Sequence, residues 1–160
     1  MRTLKDMLAE ARQVIPEQSP AEVKQRLDAG EPLALIDVRD PDEYRDGFIE
    51  PAINISRGFL EFRIGAAASD PKTPIVLYCQ SGLRSMLSAR VLHDLGYENV
   101  VNLQGGFQRW SQSGLPVVKD KPLTANGDVA ISVSAKLEAK PHATTQHPVN
   151  RDQSVNPFGN

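Results

Sequence analysis

Three short, mostly apolar runs constrain the fold of this chain more than any other feature. They cover residues 33–38, 75–78 and 100–103. Before and between them lie segments with helix-start signals, in which a capping side chain is followed by proline and then glutamate, as at Ser19 and Asp40. Strands buried on both faces of a parallel sheet have such continuous apolar sequences. The sequence therefore predicts an α/β fold, with a parallel central sheet flanked by helices on both faces.

The amino-terminal segment, residues 1–18, is predicted to be a helical extension. Thr3 is a capping residue and Asp6 occupies the capping-box position three residues later. The apolar side chains that share one face of this helix are Leu4, Leu8, Ala11 and Ile15. We interpret the extension as an appendage or an oligomer contact.

The remaining residues form one domain and a carboxyl-terminal extension. At 160 residues and 40% hydrophobic content, the chain can bury one core, which we assign to residues 19–118. Residues 119–160 are rich in Pro, Asn, Thr and Lys, with one alternating stretch at 129–133. We predict one added strand and then an extended tail, which offers a second candidate oligomer contact.

Composition and charge exclude several classes of function. The net charge is −2 with both signs interspersed, so we expect no nucleic-acid partner. No apolar run approaches the roughly 18 residues of a membrane span, and the amino terminus lacks the pattern of a secretory signal, so we expect a cytoplasmic protein. His142 and His147 have no acidic or cysteine neighbours in sequence, which argues against a metal site.

The only cysteine of the chain, Cys79, is the candidate nucleophile. It stands where the apolar run 75–78 ends and a polar loop begins, with a helix predicted from near Ser85. A helix amino terminus and a nearby cation, here Arg84, both stabilise a thiolate. The alternative is a small buried apolar residue at a strand end, which is the commoner role of free cysteine.

Four segments together resemble the rhodanese-like sulfurtransferases. The loop from Cys79 to Arg84, with four residues between, resembles the active-site loop of that family. The other three similar segments are residues 35–39 (a D-x-R strand end), residues 42–55 and residues 102–110 (L-x-G-G-F-x-x-W). The resemblance covers residues 19–118. It departs from the family at Phe48, which replaces the usual histidine, and at Glu50–Pro51, which replaces Pro-Gly.

The resemblance implies a sulfur-transfer reaction without a cofactor. Cys79 would take a sulfane sulfur from thiosulfate or a similar donor, form a persulfide and pass the sulfur to a thiol acceptor such as glutathione or a thioredoxin-type protein. Backbone N–H groups of residues 80–84 would stabilise the sulfur, and Gly82 would allow the tight loop. The substrate-binding residues implied are Gln80, Ser81, Gly82, Leu83, Arg84 and Ser85.

Two residues of the loop have more than one candidate role. The Arg84 guanidinium either engages the oxygens of the donor or turns inward to brace the loop by pairing with an acid such as Glu43, and bracing is slightly favoured. Ser85 either caps the following helix or donates a hydrogen bond to the sulfur.

Three further residues are predicted to support the site. Asp37 and Arg39 are interpreted as structural, because they hold the strand end in place. Arg57 follows the predicted short strand 53–55 and would add positive potential at the mouth of the pocket.

Trp110 is predicted to fill the core rather than to contact substrate.

Two other functions remain open at this point. A phosphatase or arsenate reductase of the same fold also uses a Cys-to-Arg loop, but that loop carries five intervening residues, which makes room for a tetrahedral oxyanion. A rhodanese-like binding module is the third alternative. The intact Cys79 loop argues against it.

Overall fold

The computed structural model describes residues 1–119, and every structural statement below refers to them. The predicted strand at 129–133 and the two tail histidines, His142 and His147, lie outside the described residues. The secondary-structure elements in chain order are α1 (Leu4–Val14), β1 (Glu17–Gln18), α2 (Pro20–Asp28), β2 (Ala34–Asp37), α3 (Pro41–Arg45), β3 (Ile53–Asn54), a 3₁₀ turn (Arg57–Phe59), α4 (Leu60–Ala67), β4 (Ile75–Tyr78), α5 (Leu83–Asp94), β5 (Val100–Leu103) and α6 (Gly106–Gln112).

The five strands form one parallel sheet in the order β1-β5-β4-β2-β3. The prediction of a parallel α/β sheet is confirmed. Strand β1 was not predicted: Glu17 pairs with Asn102, and Gln18 with Leu103, at one edge of the sheet. Two residues are too few to give a periodic sequence signal, so only tertiary pairing reveals this strand.

The apolar side chains divide into two layers, one on each face of the sheet. Ile36 and Leu77 pack into one layer, and Leu35 and Val76 into the other, because successive side chains of a strand point to opposite faces. The first layer is covered by α1, α4 and α5, and the second by α2, α3 and α6. Trp110 is 1% exposed in the second layer, as predicted.

Helix α1 packs against α5 and belongs to the first layer. Its capping box is formed as predicted, with Thr3 and Asp6 bonding to each other's backbone N–H groups. Ile15 is only 3% exposed, whereas Leu4 is 57% exposed. The predicted apolar face is therefore correct except at its first member, which lies beyond the edge of the core.

Helix α5 begins at Leu83 rather than near Ser85, because Gly82 adopts the left-handed conformation (φ 91°) directly before it. The 3₁₀ turn leads directly into α4. No helix between residues 1 and 119 is long and apolar enough to cross a membrane.

The packing of α1 predicts that residues 1–18 stabilise the domain. Ile15→Ala should lower the free energy of unfolding by about 2–4 kcal/mol, because it removes a buried side chain and leaves a cavity. Ile15 caps the carboxyl end of α1, and Leu4→Ala, at the exposed first residue of that helix, is the control, which should change the free energy of unfolding by less than about 0.5 kcal/mol. Urea denaturation of the full chain measures both. Equal effects of the two substitutions would show that α1 is not part of the core.

Candidate active site

Cys79 lies directly after β4, at the carboxyl edge of the sheet. Its Sγ accepts hydrogen bonds from the backbone N–H groups of Gly82 (3.2 Å) and Ser85 (3.4 Å). The expectation that N–H groups throughout residues 80–84 surround the sulfur is therefore too broad. Only Gly82 of that run donates, and the second donor comes from the first turn of α5. Two N–H groups aimed at one sulfur can stabilise negative charge on it.

The thiol is covered rather than displayed. Cys79 is 0% exposed, which is the burial expected of the small apolar residue that the sequence left as the alternative to a nucleophile. The exposed residues of the covering loop are Gln80, Ser81 and Leu83. A molecule can therefore reach Sγ only when this loop or its side chains move.

Helix α6 packs closely against the backbone of the loop. Gly106 lies so near the Cys79 carbonyl oxygen that a Cβ at this position would be 2.3 Å from it. The Phe107 N–H donates to that carbonyl at 2.8 Å, and the Gln108 N–H donates to the Gln80 carbonyl at 3.0 Å. The glycine is thus required by close approach, and the first turn of α6 holds the Cys79 and Gln80 carbonyls.

Ser85 lies inside α5, so it does not cap that helix. Its Oγ is 3.4 Å from the Cys79 Sγ and 2.6 Å from Oδ1 of Asn102, a buried residue of β5. The Asn102 Nδ2 group donates to the Gly82 carbonyl at 3.2 Å and to Oε2 of Glu17 at 3.0 Å. Sequence reasoning missed both Asn102 and Glu17. The available signal for Asn102 was that it is a polar residue within the otherwise apolar run 100–103.

Arg84 turns inward and forms a fork with Glu43 of α3. Its Nη1 donates to Oε2 at 2.8 Å and its Nη2 to Oε1 at 2.7 Å, with both side chains about one-third exposed. The hydrogen bonds with Arg84 are the main reason that the pKa of Glu43 is lowered. The pKa of Arg84 is raised, chiefly by Glu43 and to a smaller extent by the charge of Cys79.

Arg39 and Asp37 form a buried ion pair at the end of β2. The Arg39 guanidinium donates to both Asp37 carboxylate oxygens and, at 2.7 Å, to the Gly47 carbonyl. The same guanidinium lies over the Phe107 ring, 4.1 Å from its centroid, and 3.4 Å from the Gln80 side chain. Burial raises the pKa of Asp37, and the contacts with Arg39 oppose this effect. Neither side chain contacts the sulfur.

The remaining residues singled out in the sequence lie at the same edge or behind it. Arg57 has an exposed side chain, and its backbone N–H donates to the Val38 carbonyl, one residue beyond β2. Phe48 is buried, stacks on Tyr44 with ring centroids 4.3 Å apart and pairs through its backbone with Val118. Phe48, which stands where the family usually has histidine, is therefore a residue of the core.

Other candidate sites are weak in the described part of the chain. No group of three His, Cys, Asp or Glu side chains there could hold a metal ion. An open cleft of about 400 Å³ is lined by Pro74, Asn99 and Val100, which lie at the amino-terminal ends of β4 and β5. This cleft is at the opposite end of the strands from Cys79, and parallel α/β sheets bind ligands at their carboxyl ends. The candidate active site is therefore the Cys79 loop.

Comparison with known proteins agrees with this placement. The family model for the rhodanese-like domain matches residues 19–113. A sulfurtransferase from Allochromatium vinosum is 35% identical over 96 residues, which span 60% of this chain and 88% of the relative.

Two solved structures share the fold. A protein of unknown function from Rhodopseudomonas palustris, described as a possible tyrosine phosphatase, has a TM-score of 0.65 and 34% identity, covering 74% of this chain and 96% of the other. A thiosulfate sulfurtransferase from Pseudomonas aeruginosa has a TM-score of 0.66 and 27% identity, covering 72% of this chain and 22% of the other. Since the family match spans more than half of the chain and includes the whole Cys79 loop, this chain belongs to the rhodanese-like sulfurtransferases, as its motifs predicted.

Proposed function

We propose that the protein transfers a sulfane sulfur from thiosulfate or a similar small donor to a thiol acceptor through a persulfide on Cys79. The Cys79 thiolate attacks the outer sulfur of thiosulfate, the sulfur–sulfur bond of the donor breaks, and sulfite leaves with the bonding electron pair. A thiolate acceptor then attacks the outer persulfide sulfur, and Cys79 leaves as the thiolate. This is covalent catalysis in two displacements, with ping-pong kinetics expected.

The observation that carries this proposal is the pair of N–H groups directed at the Cys79 Sγ. Gly82 and Ser85 donate at 3.2 and 3.4 Å to the Cys79 sulfur, which attacks as a thiolate in the first displacement and leaves as a thiolate in the second. Gln80, Ser81 and Leu83 are the exposed residues through which a donor would enter. Arg57, exposed at the same edge of the sheet, would attract an anionic donor.

The acceptor must come from outside the chain. Cys79 is the only cysteine in 160 residues, so no second thiol can resolve the persulfide internally. A low-molecular-weight thiol such as glutathione and a thioredoxin-type protein are the proposed acceptors, and the abundance of reduced thiols favours a cytoplasmic setting. Self-association through α1 or through residues 119–160 stays a prediction.

A phosphatase is the second candidate, because the Rhodopseudomonas palustris structure is described as a possible tyrosine phosphatase. Phosphoryl transfer would require an arginine free to contact the phosphate oxygens. Here the Arg84 fork is occupied by Glu43, and only four residues separate Cys79 from Arg84. Both features favour sulfur transfer. They support a bracing role for Arg84 rather than a substrate-binding one.

Cys79→Ser should abolish sulfur transfer from thiosulfate to cyanide without unfolding the chain, because an unactivated hydroxyl cannot replace the thiolate. Mass spectrometry of wild-type protein treated with thiosulfate should show one added sulfur atom, and the variant should show none. Each protein is also incubated with p-nitrophenyl phosphate. Sulfur transfer by a folded variant would refute Cys79 as the nucleophile, and Cys79-dependent phosphate release without sulfur transfer would establish the phosphatase instead.

The pairing of Glu43 with Arg84 predicts a pH-dependent stabilisation. Since the pKa of Glu43 is lowered from 4.5 in the folded chain, the ion pair contributes stability above pH 4.5 and loses it as the pH falls through the lowered value. Glu43→Gln should therefore be less stable than wild type at neutral pH and similar to it once the pH has fallen below the lowered pKa of Glu43. Glu61→Gln, at an exposed position of α4, is the charge-matched control and should show no such convergence. A constant difference for Glu43→Gln across this range would contradict the bracing role.

A persulfide on Cys79 should persist after the donor is removed, because the chain holds no internal thiol to discharge it. The protein is loaded with thiosulfate, desalted and followed by intact mass, first alone and then with glutathione or reduced thioredoxin. We expect the added sulfur to remain until an acceptor is supplied. Rapid loss without an acceptor, or no discharge with either one, would refute the second half-reaction.

A further inference from the structure

A continuous chain of polar contacts connects the surface carboxylate Glu17 to the buried Cys79 sulfur. Glu17 Oε2 accepts from Asn102 Nδ2 at 3.0 Å, Asn102 Oδ1 lies 2.6 Å from Ser85 Oγ, and Ser85 Oγ lies 3.4 Å from Cys79 Sγ. Asn102 and Ser85 are both fully buried. Glu17 precedes residues 19–113, the part of the chain that matches the family model, and reaches the site only because β1 pairs with β5.

The direction of each hydrogen bond in this chain follows from counting donors. The Glu17 carboxylate and the Gly82 carbonyl can only accept, so both must face the NH₂ end of the Asn102 amide. That orientation directs Oδ1, which can only accept, toward Ser85. The Ser85 hydroxyl has one hydrogen, which it donates to Asn102 Oδ1 in the 2.6 Å hydrogen bond. The lone pairs of the Ser85 oxygen are then left facing the Cys79 sulfur.

We propose that Glu17 and Asn102 are positioning residues that hold the Ser85 hydroxyl as a hydrogen-bond acceptor toward Cys79. The proposal rests on the proposed function, in which Cys79 is the nucleophile. The thiol S–H can donate to the Ser85 oxygen in the resting protein. Once the proton leaves, the same oxygen faces an anionic sulfur, and only the N–H groups of Gly82 and Ser85 stabilise it. The Ser85 hydroxyl can donate a hydrogen bond to the thiolate only if its hydrogen bond to Asn102 breaks.

This arrangement makes the N-terminal segment a regulator of the reactivity of the thiol. The Glu17 carboxylate fixes the orientation of the Asn102 amide through its hydrogen bond with Nδ2. In that orientation Oδ1 accepts the Ser85 hydroxyl hydrogen, which is then not available to the sulfur. Loss of Asn102 should free the hydrogen for Sγ and so increase the anionic, reactive fraction of Cys79. The gain must disappear if the Ser85 hydroxyl is absent, because that hydroxyl is the only group bound to Asn102 Oδ1 whose hydrogen can turn to the sulfur. An effect of Asn102 through the Gly82 carbonyl would instead remain in both backgrounds.

The test is the rate of alkylation of Cys79 by iodoacetamide at neutral pH, measured on the reduced full-length protein. Asn102→Leu should accelerate alkylation about two- to fivefold, as expected for the net contribution of one hydrogen bond. The same substitution in a Ser85→Ala background should give little further acceleration, so the double-mutant cycle shows coupling. Ser85→Ala alone should not slow the reaction. Slower alkylation by Ser85→Ala, or equal acceleration by Asn102→Leu in both backgrounds, would overturn the proposal.

Glu17 provides a second variant set that avoids a change in the core. Glu17→Ala should accelerate alkylation in the same direction but by less, again only when Ser85 is present. Glu17→Gln keeps an acceptor for Asn102 and should restore a rate close to wild type. Glu31→Ala, which removes a carboxylate paired with Arg26 away from the site, is the charge-matched control. Equal effects of Glu17→Ala and Glu31→Ala would overturn the role of Glu17. Because alkylation does not involve sulfur transfer, a correct alkylation pattern without any transfer activity would refute the proposed function alone.

Discussion

The buried cation of Arg39 is the interaction on which the carboxyl edge of this sheet depends. A guanidinium that is 2% exposed must be paired and hydrogen-bonded, because an isolated buried charge would cost several kcal/mol. Arg39 meets this demand with the Asp37 carboxylate, the Gly47 carbonyl and the Phe107 ring. These partners come from the end of β2, the segment after α3 and the start of α6. One desolvated charge thereby fixes the elements that surround Cys79.

The loop itself is held from three sides, and each side restrains a different part of it. Helix α6 binds the Cys79 and Gln80 carbonyls, Asn102 of β5 binds the Gly82 carbonyl, and Glu43 of α3 holds the Arg84 side chain. Backbone groups restrained in this way need little reorganisation when charge develops on the sulfur, which is the physical advantage of a preorganised site. The thiol in this restrained loop is also buried. The hydrogen bonds to the sulfur are therefore fixed in position, but a substrate cannot reach the sulfur unless neighbouring groups move.

The sequence predicted the parts of this site that depend on local signals and failed where distant segments meet. The apolar runs, the capping residues at Ser19 and Asp40 and the position of Cys79 were correct because each is determined by neighbouring residues. Strand β1 and the contact of Glu17 with Asn102 were missed, because they depend on the register between segments 85 residues apart. The sequence left the burial of Cys79 open, since no spacing shows how closely α6 approaches the loop.

The electrostatic arrangement around the sulfur separates charge from hydrogen bonding. The guanidinium of Arg84 is paired with Glu43, so its positive charge acts on the sulfur at longer range and forms no hydrogen bond with it. Direct contact with the sulfur is left to neutral groups, two N–H donors and one hydroxyl oxygen. A tetrahedral oxyanion offers several oxygens that a forked guanidinium can bind, whereas a persulfide ends in one soft, singly charged atom. The neutral donors here contact the Cys79 sulfur itself, and the forked guanidinium of Arg84 that could bind several oxygens is paired with Glu43. This arrangement is the structural reason to expect sulfur rather than phosphate at Cys79.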